Sequence, residues 1–254
     1  MRHHPRRVWL GLLGLCGALG LLGSTGGAHA QAPTYDHFVY LPLVLRPAPP
    51  ITDRLLNPGF EGGYTHETFY GPNPAILTPE QWVTWWAVEP ENDLQPPEIV
   101  RPISSQNPIY LDPIPRIHGG EQAMQLYRWG KYRAGFYQRV AGLPPDATAT
   151  FSIYAHAWSC NLDPTPERPA LSCGDPWGFW FKVGLDPTGG TDPWSPNVIW
   201  TEPAYLYDTY ALVGPVSAPV GAGGAVTVFT WAEAKWGVKH EDAYLDDASL
   251  VVQP

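Results

Sequence analysis

The chain predicts an all-β fold, an antiparallel β-sandwich, on three observations. Its apolar runs alternate with a period of two. Gly and Pro, 26 and 30 of 254 residues, punctuate the gaps between those runs. No stretch sustains a helical period. Strand patterns with no helices between them pair with their neighbours, and two such sheets packed face to face share one core. A single domain of this length can bury such a core.

Taken in order, residues 1–30 read as an export signal. Arg2, Arg6 and Arg7 precede an apolar stretch from Val8 to Leu22, and Ala28-His29-Ala30 is a small-residue cleavage site. The apolar run is too short and too rich in Gly for a transmembrane helix. Cys16 follows Leu15, where lipidation needs a small residue. The expectation is a secreted, extracellular protein with no membrane insertion after cleavage. Cleavage removes three arginines and no acid, so the formal charge moves from −9 to −12, with twelve cations against 24 acids. That balance argues against nucleic acid and anionic membrane as partners, since phosphate contacts need clustered Lys and Arg, and favours neutral ligands weakly.

Residues 31–54 form a lead-in. The run Tyr35 to Arg46 has the pattern of an edge strand, because Pro42 tolerates only an edge. Pro47-Ala48-Pro49-Pro50 is a stiff linker. The domain proper occupies 55–254. From Gly62 to Gly120 the chain reads as one long loop, dense in Pro and aromatic residues, with Trp82-Val83-Thr84-Trp85-Trp86 as its apolar knot. Strand patterns then follow at Glu121 to Trp129, Arg133 to Val140, Thr148 to Trp158, Gly178 to Asp186, Tyr205 to Val213, Ala225 to Glu233 and Ala243 to Val252. Cys160 and Cys173, the two cysteines left after cleavage, predict a disulfide closing a Pro-rich loop.

Alternation divides each strand into two faces. Phe151, Ile153, Ala155 and Ala157 form one face, and Ser152, Tyr154, His156 and Trp158 the other. Phe179, Phe181, Val183 and Leu185 oppose Trp180 and Lys182. Val226 and Val228 oppose Trp231 and Glu233, and Met124 and Leu126 oppose Gln125, Tyr127 and Trp129. The aliphatic sets belong in the core. The sets that mix aromatic and polar groups do not, because buried polar tips need partners.

The last strand carries Asp246 and Asp247 side by side in an apolar run. Alternation sends them to opposite faces, so one needs a partner. If the first and last strands pair, Asp246 meets Glu61. The two acids are then either separately solvated or bridged by a hard cation such as calcium, which takes oxygen ligands.

The opening Asn57-Pro58-Gly59-Phe60-Glu61-Gly62 and the close Tyr244-Leu245-Asp246-Asp247-Ala248-Ser249-Leu250 resemble a family. They are similar to jelly-roll carbohydrate-binding modules of families four, nine and twenty-two, the galactose-binding-like sandwiches. The middle, with Trp85-Trp86 and Val183 to Pro193, is closer to an uncharacterised branch of secreted bacterial proteins. The resemblance spans Leu55 to Val252. It implies a jelly-roll topology and a structural calcium held by Glu61 and Asp246.

It also gives the mixed faces a purpose, because sugar rings pack their C–H faces on aromatic rings while their hydroxyls take side-chain donors and acceptors. The expected partner is a polysaccharide or cell-surface glycan. The expected cleft is formed by Gln125, Tyr127, Trp129, Tyr154, His156, Trp158, Trp180, Lys182, Trp231 and Glu233. On that reading Trp158 and Trp231 are needed for binding and dispensable for folding. The competing expectation is that the 62–120 loop folds over this face as a second small core.

No nucleophile elbow, zinc-protease helix, phosphate loop or dinucleotide fingerprint occurs. Glu233 with Glu121 or Glu202 is the one carboxylate pairing that a glycosidase could use. His240-Glu241-Asp242 reads as a solvated turn in preference to a metal site. Asp186 to Asp192 reads as a tight turn with its glycines at positive φ. The expectation is a non-catalytic binding domain. A structural or adhesion domain without a sugar ligand, or a glycan-cleaving enzyme, are the alternatives.

Overall fold

A computed structural model of the chain describes residues 52–67, 76–104 and 115–254. The export signal and the lead-in strand pattern lie outside the described residues. Twelve strands follow in order: β1 (Tyr64–Glu67), β2 (Ile76–Pro79), β3 (Val83–Trp86), β4 (Ile99–Ser104), β5 (Gln122–Tyr127), β6 (Arg133–Ala141), β7 (Thr148–Cys160), β8 (Phe179–Asp186), β9 (Ile199–Trp200), β10 (Ala211–Pro219), β11 (Ala225–Ala234) and β12 (His240–Gln253). A 3-10 turn at Pro90–Asn92 is the single helical element among the described residues. None of their helices is long and apolar enough to cross a membrane.

The strands form a seven-stranded sheet, β1-β2-β4-β5-β12-β7-β10, and a five-stranded sheet, β3-β6-β11-β8-β9. Every strand pairing is antiparallel except β2 with β4. The all-β sandwich predicted from alternation is therefore the fold. Between the sheets, Phe151, Ile153, Leu245 and Leu250 from the larger meet Phe136, Phe179, Phe181, Val183 and Val228 from the smaller in one continuous core. These are the aliphatic and aromatic faces assigned from sequence. At about 25 cal/mol per Å² of apolar surface buried, this core is the main stabilising contribution.

Two readings of the chain are corrected. The stretch 62–120 is not a single loop, because β1 to β4 lie within it. Three of these have four residues, too few for a period of two to stand out among prolines. The strand expected at Tyr205 to Val213 is displaced to β10, which runs through Pro215 and Pro219. As an edge strand, β10 can hold prolines without breaking a central ladder. Residues 204–208 instead close one end of the sandwich. Ala204 exchanges backbone hydrogen bonds with Phe181 of one sheet, while Leu206 and Asp208 bond Ala157 of the other.

The first described segment of the domain meets the last strand, as expected. Asp53 bridges Val251, Arg54 N donates to Leu250 O at 2.9 Å and Ala248 N donates to Pro58 O at 3.0 Å. The two aspartates of the last strand do not point to opposite faces, however. The β12–β7 register shifts between Asp246 and Ser249, and Asp247 sits at φ 45°. This bulge breaks the alternation, and both carboxylates turn to the same residue. His118 N donates to Asp246 Oδ2 at 2.8 Å, and His118 Nδ1 lies 2.6 Å from Asp247 Oδ2.

Candidate functional site

The ten residues expected to line one cleft occupy two opposite outsides of the sandwich. Gln125, Tyr127, Tyr154, His156 and Trp158 are on the seven-stranded sheet, with Trp129 just beyond β5. Trp180, Lys182, Trp231 and Glu233 are on the five-stranded sheet. Alternation identifies the non-core side of each strand, but which strands are neighbours is a long-range pairing that it does not encode.

On the larger sheet, the competing expectation of a second core is realised. Trp158, Tyr244, Ala123, Ile103, Cys160 and Ala170 form a closed cluster against which Ile117 and Tyr210 pack. Trp158 is 0% exposed; it stacks on His240 at 3.9 Å and donates Nε1–H to Leu171 O. The Cys160–Cys173 disulfide is formed and pins this cover to β7. Arg116 lies over Tyr244 at 4.7 Å and donates to Ala170 O. His156 is stacked on Tyr244 and edge-on to Tyr210. Burial, and then the Arg116 charge, push its pKa down to about 3, so it is a neutral core histidine. Gln125 is buried, accepting from Arg101 Nε and donating to Asp242. Tyr154 stacks on His118 at 3.8 Å, and Tyr127 donates its hydroxyl to Lys239 O. Of this set Trp129 alone stands well exposed.

The outer face of the five-stranded sheet is different. Trp231 on β11 is the hub, with ring centroids of Trp200, Trp85 and Trp194 at 5.0, 5.3 and 5.5 Å. Trp200 lies on β8 because Gly184 is paired with it; a Cβ at Gly184 would come within 2.7 Å of the indole. Arg133 spans 5.0 Å to Trp231 and 5.7 Å to Trp194, and Lys182 Nζ lies 5.2 Å from Trp231. Glu233 accepts from Trp231 Nε1 at 2.9 Å and from Arg133 at 2.8 and 2.9 Å. Arg133 also reaches Glu89 at 2.9 Å. Burial alone would lower the guanidinium pKa, but the hydrogen bonds and charges of Glu233 and Glu89 outweigh it and raise it. Glu233 therefore acts through Trp231 and Arg133, as a positioning residue.

Two clefts flank this ridge. One, of about 370 Å³, runs between β3 and the 191–194 turn and is lined by Thr84, Trp85, Trp86, Thr191, Asp192 and Trp194. The other, of about 360 Å³, is lined by Glu89, Asn92, Lys131, Arg133, Trp180 and Glu233 among others. Trp231 is only 9% exposed, whereas Trp194 is 49% exposed, so Trp194 presents its ring where Trp231 supports it. The Nε1–H of Trp85 has no acceptor among the described residues.

Sequence reasoning missed Trp85, Trp194, Trp200 and Arg133 as parts of this face. Trp194 and Trp200 follow a turn and carry no strand period. The available signal was Gly184, since a glycine inside a strand marks a close approach by another group. The turn before them is tight at Asp186, whose Oδ1 accepts from Thr188 N and Oγ1; of its two glycines Gly189 sits at positive φ, 75°, as expected, and Gly190 does not.

The other acidic candidates separate. Glu121 immediately precedes β5 of the larger sheet, where its N–H donates to Glu61, so it does not face Glu233. His240, Glu241 and Asp242 are not the solvated turn expected but the buried start of β12; His240 and Asp242 share one side, 3.9 Å apart, and Glu241 is on the other. His240 stacks on Trp158 and Asp242 holds Gln125, while Glu241 sits opposite Ser159 on the core side. Among the described residues, no group of three His, Cys, Asp or Glu is arranged to hold a metal ion.

At the chain-end staple the donor set fits a hard cation poorly in this geometry. Asp246 Oδ2 accepts the His118 and Gly119 amides and its Oδ1 the Asp247 amide. Glu61 Oε1 accepts the Glu121 and Gln122 amides. Amide protons aimed at Asp246 Oδ2 and Glu61 Oε1 compete with an ion for those two oxygens.

No protein-family model and no curated protein matches the chain. Solved structures similar to it include the carbohydrate-binding module TmCBM61 in complex with β-1,4-galactotriose, at 13% identity and a TM-score of 0.47, over 80% of this chain and 99% of that one. A Stig cyclase, Fisc from Fischerella sp. TAU, is similar at 15% identity and a TM-score of 0.48, over 80% and 98%. The CBM22-1 xylan-binding domain of Paenibacillus barcinonensis Xyn10C has 11% identity and a TM-score of 0.39, over 77% and 91%. These similarities are too distant to carry an argument about function.

Proposed function

We propose that the chain is a secreted, non-catalytic carbohydrate-binding domain that holds a glycan on the outer face of its five-stranded sheet. The observation that carries this is the ridge of Trp194, Trp231 and Arg133 between two clefts. An exposed indole on a rigid base offers a platform for the apolar face of a sugar ring. Arg133, Glu89 and Thr191 beside it offer donors and acceptors for hydroxyls. The base is pre-organised by packing and by the Glu233–Arg133 pair, which reduces the entropy lost on binding.

The test is a glycan array with an insoluble-polysaccharide pull-down. Trp194→Ala is expected to weaken the best ligand by on the order of 2 kcal/mol, about thirty-fold, as anchor tryptophans do. An unchanged affinity would remove the face as the site. A protein that binds no glycan would instead be a structural or adhesion domain.

A structural calcium at the chain-end staple is a separate part of the proposal. It is supported by Glu61, Asp246 and Asp247 gathering around the 118–122 turn, with His118 facing two of them. Binding would require the turn to rotate carbonyl oxygens inward in place of its amides. Ligand that binds only the native state stabilises it by mass action, so a chelator should lower the Tm, and Asp246→Ala should remove the difference. A melt indifferent to calcium and chelator would mean that the amides alone close the staple.

A further inference from the structure

We infer that the polysaccharide recognised on this face is anionic, carrying carboxylate or sulfate groups, with Lys182 as the residue that reads the charge. This rests on the glycan reading above. The chain has four lysines, Lys131, Lys182, Lys235 and Lys239. Lys239 pairs with Asp163, on the other side of the fold's end. The remaining three gather on the five-stranded sheet's outer face. Lys131 and Lys235 line the second cleft, and Lys182 lies beside Trp231.

None of these three pairs with a carboxylate within 4 Å among the described residues. Lys131 donates to Asn92 O, Lys235 lies over Trp236, and Lys182 lies over the Trp231 ring. The acids nearby are differently placed. Arg133 pairs with both Glu89 and Glu233, which leaves one of their two negative charges unbalanced. Glu91 and Asp93 stand at the 3-10 turn beside Lys131, and Asp175 is bonded to Trp236.

The placement runs against the rest of the molecule. A chain of net charge −9, and −12 after export, repels a polyanion at long range. Screening over about 8 Å at physiological salt isolates a local site from that bulk charge. Hydrated ammonium groups with no carboxylate partner are available to an incoming anion. Lys182 pairs across from Trp231, and Lys235 lies four residues further along the same run. That is about 13 Å at the rise of a β-strand, within reach of one short oligosaccharide.

The experiment is calorimetric titration of the full mature chain with polygalacturonate, a sulfated galactan and a neutral galactan, each at 20 and 300 mM NaCl. The variants are Lys182→Met, which keeps an unbranched stem on Trp231, and Trp194→Ala as the control for the face. One acidic polymer is expected to bind at least tenfold tighter than the neutral one at low salt and to lose about tenfold at high salt. Which of the two does so names carboxylate or sulfate. Lys182→Met should remove both the preference and the salt dependence. Equal or better binding of the neutral polymer, independent of salt, overturns the inference and leaves the glycan-binding reading intact. Acidic preference that survives Lys182→Met overturns the assignment to this residue. If no polymer binds, and Trp194→Ala changes nothing on a broad array, both readings fall.

Discussion

Replacing Trp158 by alanine is expected to cost about 3–5 kcal/mol of stability, the range for truncating a large buried aromatic. The residue is 0% exposed, and its ring is stacked on His240 and lies under the Arg116 guanidinium at 5.4 Å. Its removal leaves a cavity between β7 and the cover formed by residues 115–118 and the disulfide loop. It also deprives Leu171 O of its indole donor. For a domain of about two hundred residues the loss corresponds to roughly 10 °C in Tm. Trp194→Ala, at an exposed ring, should change the Tm little. Scanning calorimetry on the two variants separates the faces: one tryptophan belongs to folding, the other to binding. Equal melting temperatures for Trp158→Ala and the parent protein would mean that the cover does not pack on the larger sheet.

Glu241→Gln is expected to stabilise the domain, increasingly so as the pH rises. Glu241 is 1% exposed and sits on the core side of β12 opposite Ser159. Its Oε2 has no partner among the described residues. Burial pushes its pKa up to about 9; the Ser159 hydrogen bond opposes this and the Asp242 charge adds to it. In the unfolded chain the group titrates near the ordinary 4.5. A raised folded-state pKa means that the folded state holds a proton which the unfolded state has released. Its contribution to stability is therefore complete below about pH 4.5 and is lost progressively as the pH rises through about 9. Glutamine keeps the shape and one donor and never ionises. The gain at pH 8 should be on the order of 2 kcal/mol, and stability measured in urea from pH 5 to 9 should fall less steeply in the variant. A parallel pair of curves would place the Glu241 proton elsewhere.

The sandwich was legible in the sequence because burial on one side of a strand writes itself as alternation. Phe151, Ile153, Phe179, Phe181 and Val228 all lie in the core as their phase predicted. The disulfide followed from two cysteines and an export signal. Less was legible in the candidate site. Four of its residues, Trp180, Lys182, Trp231 and Glu233, were chosen correctly as lying off the core, but six others were grouped with them that belong to the opposite outside. Arg133 was overlooked as part of the face because its importance lies in contacts with Glu89 and Glu233, 44 and 100 residues away.

What this sequence determined by itself is local: which residues form strands, which side of each strand is apolar, and where turns interrupt them. These follow from the two-residue repeat of the extended backbone and from the φ restrictions of Gly and Pro. The tertiary structure decided which polar and aromatic sides were covered. His156 and Trp158 carry the same kind of pattern as Trp180 and Lys182. One set lies beneath residues 115–118 and the Cys160–Cys173 loop; of the other, Trp180 lines an open cleft and Lys182 lies over Trp231. The difference depends on pairings between strands up to about a hundred residues apart. Such contacts form only when the whole sheet assembles, and no short-range repeat records them.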